Sequence, residues 1–177
     1  MLTLKRGTAL LALALALAAS SLAYAPPLDF RLKTTDGGEI SSEMLKGDVV
    51  VLAFGASWLP LSKAQVQGVQ ELADQFAERN VRVYWVSTDS VSPKSKNYAS
   101  DEQLRDFARK NGLKIAVLRD PDGALFKRTG ADQLPSVVIL DRAGEVSGAP
   151  IGGLDTRQDR KLLDMLSPRL NKLLGSK

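Results

Sequence analysis

The chain has 177 residues, 44% of them hydrophobic, which suits one domain with a sizeable core and is short for two. It carries 24 Lys and Arg against 20 Asp and Glu, a formal charge of +4, and no basic stripe interleaved with aromatics marks a nucleic-acid partner. Cysteine and histidine are both absent, which excludes a thiolate nucleophile, a Ser-His-Asp triad, a Cys-His pair, and zinc or copper sites built on thiolate and imidazole.

Lys5 and Arg6 precede an apolar run over residues 9–19, followed by the small residues Ser20, Ser21, Ala23 and Ala25. This pattern predicts a signal peptide over residues 1–25, cleaved after Ala23 or Ala25, and a periplasmic or secreted domain over residues 26–177. The competing reading is an uncleaved anchor, in which case this segment alone would contact a membrane. Its apolar stretch falls short of the ~20 residues that span a bilayer. No cysteine follows the run, so a lipid-modified N-terminus is excluded, and with no disulfide possible the exported domain relies on its core alone.

Residues 28–32 alternate apolar and polar side chains like a half-buried strand, and Asp36-Gly37-Gly38 turns the chain back. Residues 49–54 (VVVLAF) form a continuous β-branched run suited to a strand buried on both faces. A helix over residues 62–79 follows, with Val66, Val69, Leu72, Ala73 and Phe76 on one face, and Asn80 ends it. Residues 81–86 (VRVYWV) give a second strand, so strand, helix and strand make a right-handed βαβ unit.

Residues 87–100 are polar and turn-rich and read as a loop. Ser100 and Gln103 have the spacing of a capping box, opening a helix that buries Leu104 and Phe107 and stops at Asn111-Gly112. A third strand over residues 115–118, a turn at residues 120–123 and a brief helix over residues 124–128 come next. Residues 136–140 (SVVIL) are a buried strand that the turn at residues 141–144 returns antiparallel into residues 145–151. Asp155 or Thr156 caps a final helix lined by Leu162, Leu163, Leu166, Leu170 and Leu173, which Pro168 should bend or interrupt. The element order predicts an α/β fold, a mixed central sheet with helices on both faces.

Residues 49–65 (VVVLAFGASWLPLSKAQ) resemble the active-site region of exported thioredoxin-like proteins of the TlpA and ResA type, within the wider redoxin and AhpC/TSA superfamily. There an apolar strand runs through Phe and Ala into Trp-Cys-x-x-Cys, which opens a helix. Leu134-Pro135-Ser136, before the strand at 137–140, resembles the family's cis-proline loop. The resemblance implies a thioredoxin-like fold with an N-terminal strand or hairpin extension. It places Trp58 at the tryptophan before the motif, Pro60 at the proline inside it, and Leu59 and Ser62 at the two cysteine positions. Gln65 stands at the glutamate that such proteins use in proton transfer.

Thiol–disulfide exchange needs a thiolate, so the loss of both cysteines removes the chemistry that the resemblance implies. Leu59 has no ionisable group, and Ser62 has no histidine to serve as its base. Lys63 is its neighbour, but adjacent residues on a helix do not face each other. The structural reading is that Ser62 caps the helix, with Gln65 completing a capping box. A metal or small-molecule site on Asp120, Asp122 and Asp141 is disfavoured because Asp is common in turns for backbone reasons. No metal and no cofactor is expected.

What remains is an apolar turn, Trp58, Leu59, Pro60 and Leu61, beside Leu134 and Pro135. In redox-active relatives the matching turn and loop form a groove that holds an extended peptide, with main-chain pairing near the residue matching Leu134. The expectation is a non-catalytic module that binds an exported protein or peptide through Trp58, Leu59, Pro60, Leu61, Leu134 and Pro135; the bland alternative is that Leu59 packs inward and merely fills the turn. The family resemblance taken alone would imply a thiol-disulfide oxidoreductase or antioxidant redoxin.

Overall fold

The computed structural model describes residues 26–153 and 161–175, so the signal-peptide segment and the proposed caps Asp155 and Thr156 lie outside the described residues. The N-terminal hairpin pairs β1 (Arg31–Lys33) antiparallel with β2 (Glu39–Ser41), Leu32 opposite Ile40. Pairing starts later than the alternation at 28–32 implied. Leu28 and Phe30 are buried in the core instead, and the Leu28 amide donates to the Gly144 carbonyl at 2.8 Å. A short 3-10 turn (Ser42–Leu45) leads to the central strand β3 (Val49–Gly55), every residue of which is buried.

The main sheet has five strands in the order β5 (Val117–Arg119), β4 (Val81–Ser87), β3, β6 (Ser136–Leu140), β7 (Ile151–Gly152). β3 is parallel to β4 and antiparallel to β6, and β4 is parallel to β5. The mixed sheet and closing antiparallel return are as the sequence implied. The return is looser than a continuous strand over residues 145–151: a single bridge joins Leu140 to Val146, and regular pairing resumes at Ile151 opposite Val137. The third parallel strand likewise starts at Val117 rather than at Ile115.

Period-two alternation along β3 divides the core between the two faces. Val49, Val51 and Ala53 pack with Val66, Val69, Leu72 and Phe76 of α1 (Pro60–Phe76) and with Leu162, Leu166 and Leu170 of α4 (Leu162–Gly175). Val50, Leu52 and Phe54 pack on the other face with Leu28, Phe30, Leu118 and Leu125, the last from α3 (Ala124–Arg128). Phe54 meets Phe126 edge to face at 5.5 Å between centroids.

The capping box at α2 (Asp101–Lys110) is present with both halves: Ser100 Oγ accepts from the Gln103 amide, and Gln103 Oε1 accepts from the Ser100 amide. Pro168 was expected to bend or interrupt the last helix; α4 continues through it without interruption. Its three buried leucines, at 162, 166 and 170, lie on both sides of the proline and hold the flanking turns on the same core, which offsets the lost backbone bond. Close approach of α4 to α1 depends on Gly68, where a Cβ would fall 2.9 Å from Leu162 Cβ.

Candidate functional site at the end of the central strand

β3 and β4 run parallel and end at Gly55 and Ser87, and β6 begins at the same end of the sheet with Ser136 paired to Phe54. The loops 56–59, 88–100 and 130–135 therefore gather at one edge. The Leu134–Pro135 peptide bond is cis, Pro135 is buried and Leu134 half-buried. At the start of α1, Trp58 is 52% exposed and Leu61 41% exposed, Pro60 is exposed and Leu59 half-buried. Leu59 thus neither projects freely nor packs fully inward.

The capping role expected of Ser62 and Gln65 is not what the structure shows. The helix begins two residues earlier, with Leu59 as an extended N-cap that makes no side-chain capping bond and Pro60 at its first position. Proline suits that place because its φ is preset for the helix and the N–H it lacks would have had no intrahelical partner. Ser62 is then already inside the helix and fully buried, and its Oγ accepts from the Ala56 amide at 3.1 Å, fixing the loop that precedes the helix.

Gln65, one turn further on and 2% exposed, knits three strands together. Its Nε2 donates to the Phe54 carbonyl of β3 at 3.1 Å and to the Ser136 carbonyl of β6 at 2.9 Å, while its Oε1 accepts from Trp85 Nε1 of β4 at 3.1 Å. Both amide hydrogens are used, and both go to acceptors. Only a neutral amide satisfies this arrangement, since a carboxylate has no hydrogen to give. The loop 130–135 is thereby held beside the loop 56–59.

Gly55 makes room for that network: a Cβ there would lie 2.9 Å from each of Gln65 Oε1, Ser62 Oγ and Trp85 Nε1. Gly55→Ala is expected to cost about 1–3 kcal/mol, the usual range for overpacking a filled core, measured by urea unfolding. Unchanged stability would mean that the network yields at little cost.

Asp89, which sequence reasoning did not single out, fixes the same loop from the other side. It is buried, and its carboxylate accepts from the Ser57 amide at 2.9 Å, Ser57 Oγ at 2.8 Å and Ser87 Oγ at 2.8 Å. The Thr88 amide also donates to the Gly55 carbonyl at 2.9 Å. A lone Asp just past an apolar strand has no periodicity to betray burial; the serines two residues before it and at 57 were the only signal. Two of the three carboxylates weighed as a ligand site are spent on the backbone. Asp120 accepts from the Leu125 and Phe126 amides and Asp141 from the Ala143 and Glu145 amides, while Asp122 is exposed on its turn.

The fold and this edge have clear counterparts. A profile of the AhpC/TSA family matches residues 24–149. The chain belongs to the AhpC/TSA family. Sporulation thiol-disulfide oxidoreductase A of Bacillus subtilis (strain 168) is 28% identical over 138 residues, covering 76% of this chain and 77% of the relative. Thioredoxin-like protein YneN of the same organism is 26% identical over 137 residues, covering 77% and 76%. Among solved structures, MTB dsbF superposes with a TM-score of 0.64 at 26% identity, covering 82% of this chain and 96% of the other. The pneumococcal exposed lipoprotein thioredoxin Etrx1 of Streptococcus pneumoniae gives 0.60 at 26% identity, covering 79% and 98%. As a member of the AhpC/TSA family this chain keeps the thioredoxin-like fold with an added N-terminal hairpin, and it contains no cysteine with which to perform thiol chemistry.

Proposed function

We propose that this protein is a redox-inert member of its family that binds an extended polypeptide at the edge formed by Trp58, Leu59, Pro60, Leu61, Leu134 and Pro135. The observation that carries this reading is the exposure of Trp58, on the loop before α1, and of Leu61, in the helix's first turn, with hydrogen bonds from Ser62, Gln65 and Asp89 bracing them from behind, in a chain without a sulfur nucleophile. Large apolar side chains on a fixed loop lose little conformational entropy when covered, which favours recognition. A thiol-disulfide oxidoreductase assignment, which the relatives' names favour, requires a thiolate that this chain does not have. In this reading the protein works outside the cytoplasm, which the signal-like segment at residues 1–25 supports and with which a neighbour described as an exposed lipoprotein is in keeping.

Insulin reduction and peroxide consumption by the purified protein are expected to equal those of a denatured control. Proteins captured from an extracytoplasmic fraction should be lost with Trp58→Ala and with Leu59→Asp, each weakening binding by about tenfold or more. Trp58 fluorescence, corrected for Trp85, reports the same event. Identical capture by the variants and the parent would show that this edge is not the site.

A further inference from the structure

Five large hydrophobic side chains are exposed among the described residues, and four of them fall on two segments: Trp58 and Leu61 on 56–64, and Val91 (58% exposed) and Tyr98 (37% exposed) on 88–100. These segments are tied together at their bases. Asp89 receives two hydrogen bonds from Ser57, the residue before Trp58, and Val91 lies two residues beyond Asp89. Tyr98 is carried to the same place because the loop closes on itself. The Ser90 amide donates to the Asn97 carbonyl at 2.8 Å and the Ala99 amide to the Ser90 carbonyl at 3.1 Å, with Ser90 and Tyr98 bridged in parallel. The loop is thus a braced, Ω-like projection rather than a slack polar connection.

The charges on the same two segments are one-sided. Lys63, Lys94 and Lys96 are exposed, and among the described residues none of them enters an ion pair. The sole acid on these segments is Asp89, which is buried and engaged by three donors. Exposed acids nearby belong to other elements: Asp132 to the loop before β6, and Asp101 and Glu102 to the first turn of α2, where the helix N-terminus favours them.

We infer that the partner surface extends from the Trp58 turn over the 88–100 loop and that it takes an extended polypeptide segment bearing acidic residues beside apolar or aromatic ones. The apolar side chains would lie on Trp58, Leu61, Val91 and Tyr98, and the acidic ones would answer Lys63, Lys94 and Lys96. The inference rests on the polypeptide-binding reading above and names the chemistry of its ligand.

The test is selection of a random displayed peptide library on the purified protein, followed by fluorescence titration of the selected peptides at low and high salt. Enrichment of Asp and Glu next to aromatic or aliphatic residues is expected. So are weakening by salt and losses of about tenfold or more in the Lys94→Glu/Lys96→Glu variant and in Val91→Asp, all with unchanged melting temperature. Selected peptides without acidic residues, or binding indifferent to the 88–100 variants but lost in Trp58→Ala, would overturn this inference and leave the polypeptide-binding reading intact. No enrichment, or binding indifferent to Trp58→Ala as well, would overturn both. A dimer in sedimentation that Val91→Asp dissociates would place a second copy of the chain on this face, which also overturns the inference.

Discussion

Gln65→Glu is expected to destabilise the protein by about 3 kcal/mol or more at neutral pH, as breaking a buried, fully paired polar group does when it leaves an uncompensated charge. The amide nitrogen of Gln65 points its two hydrogens at the carbonyls of Phe54 and Ser136. A carboxylate there would face both acceptors with nothing to donate, at a site 2% exposed. Protonation restores one of the two bonds, so the buried carboxyl holds its proton and its folded-state pKa rises above the ordinary value of about 4.3.

The sign of the pH dependence follows. A carboxyl with a raised folded pKa is least harmful below the unfolded pKa, where both states are protonated. Relative to the parent, the variant's deficit then grows by about 1.4 kcal/mol per pH unit as pH rises above ~4.3, and levels off once the folded-state pKa is passed. Urea unfolding of both proteins across that range measures it. A deficit of the same size at every pH would mean that the lost geometry, and not the buried charge, is responsible. The resemblance to TlpA and ResA proteins places a glutamate at this position. The hydrogen bonds of Gln65 therefore suit a neutral amide where that resemblance implies a glutamate.

The strands were readable because burial on two faces leaves continuous apolar runs: 49–54, 81–86 and 136–140 lie within β3, β4 and β6. The turn at 58–61 and the cis-proline loop were readable through Trp58, Pro60 and Leu134-Pro135, but the hydrogen bonds behind them were not. Ser62 and Gln65 have the same spacing as Ser100 and Gln103, and the two pairs do opposite things. Ser100 stands just outside its helix, with its hydroxyl over the free backbone amides. At 62 the helix has already started at Pro60, so both side chains face the sheet and bond to Ala56, Phe54 and Ser136. A proline two residues ahead of the serine separates the cases. The 88–100 loop was opaque for another reason: its polar composition is real, and what it displays depends on a closure between Ser90 and residues 97–99 that composition does not encode.

Leu59→Cys/Ser62→Cys is expected to gain dithiol reductase activity, raising insulin reduction on the order of tenfold or more above the parent's background. Residues 59 and 62 are three apart across the start of α1, so their side chains share a face of the first turn. A thiol at 59 would be half-buried at the N-terminus of a 17-residue helix whose first turn carries no acidic residue, a setting that lowers a thiol pKa and raises the thiolate fraction. A thiol at 62 would occupy the buried place of the Ser62 hydroxyl, beside the Ala56 amide. The outer thiolate attacks a substrate disulfide, breaking its S–S bond to give a mixed disulfide and release one substrate thiolate, which takes a proton from solvent; the inner thiol, losing its proton to solvent, attacks the outer sulfur, releases the second substrate thiol and leaves a disulfide between positions 59 and 62. With Gln65 and no carboxylate beside the inner sulfur, that second step should be slow, so mixed disulfides accumulate when the oxidised form is not recycled. Those adducts identify what the edge holds. If the variant folds and closes its own disulfide yet reduces insulin no faster than the parent, the turn at 56–62 no longer presents a surface that admits a polypeptide, and the binding reading fails with it.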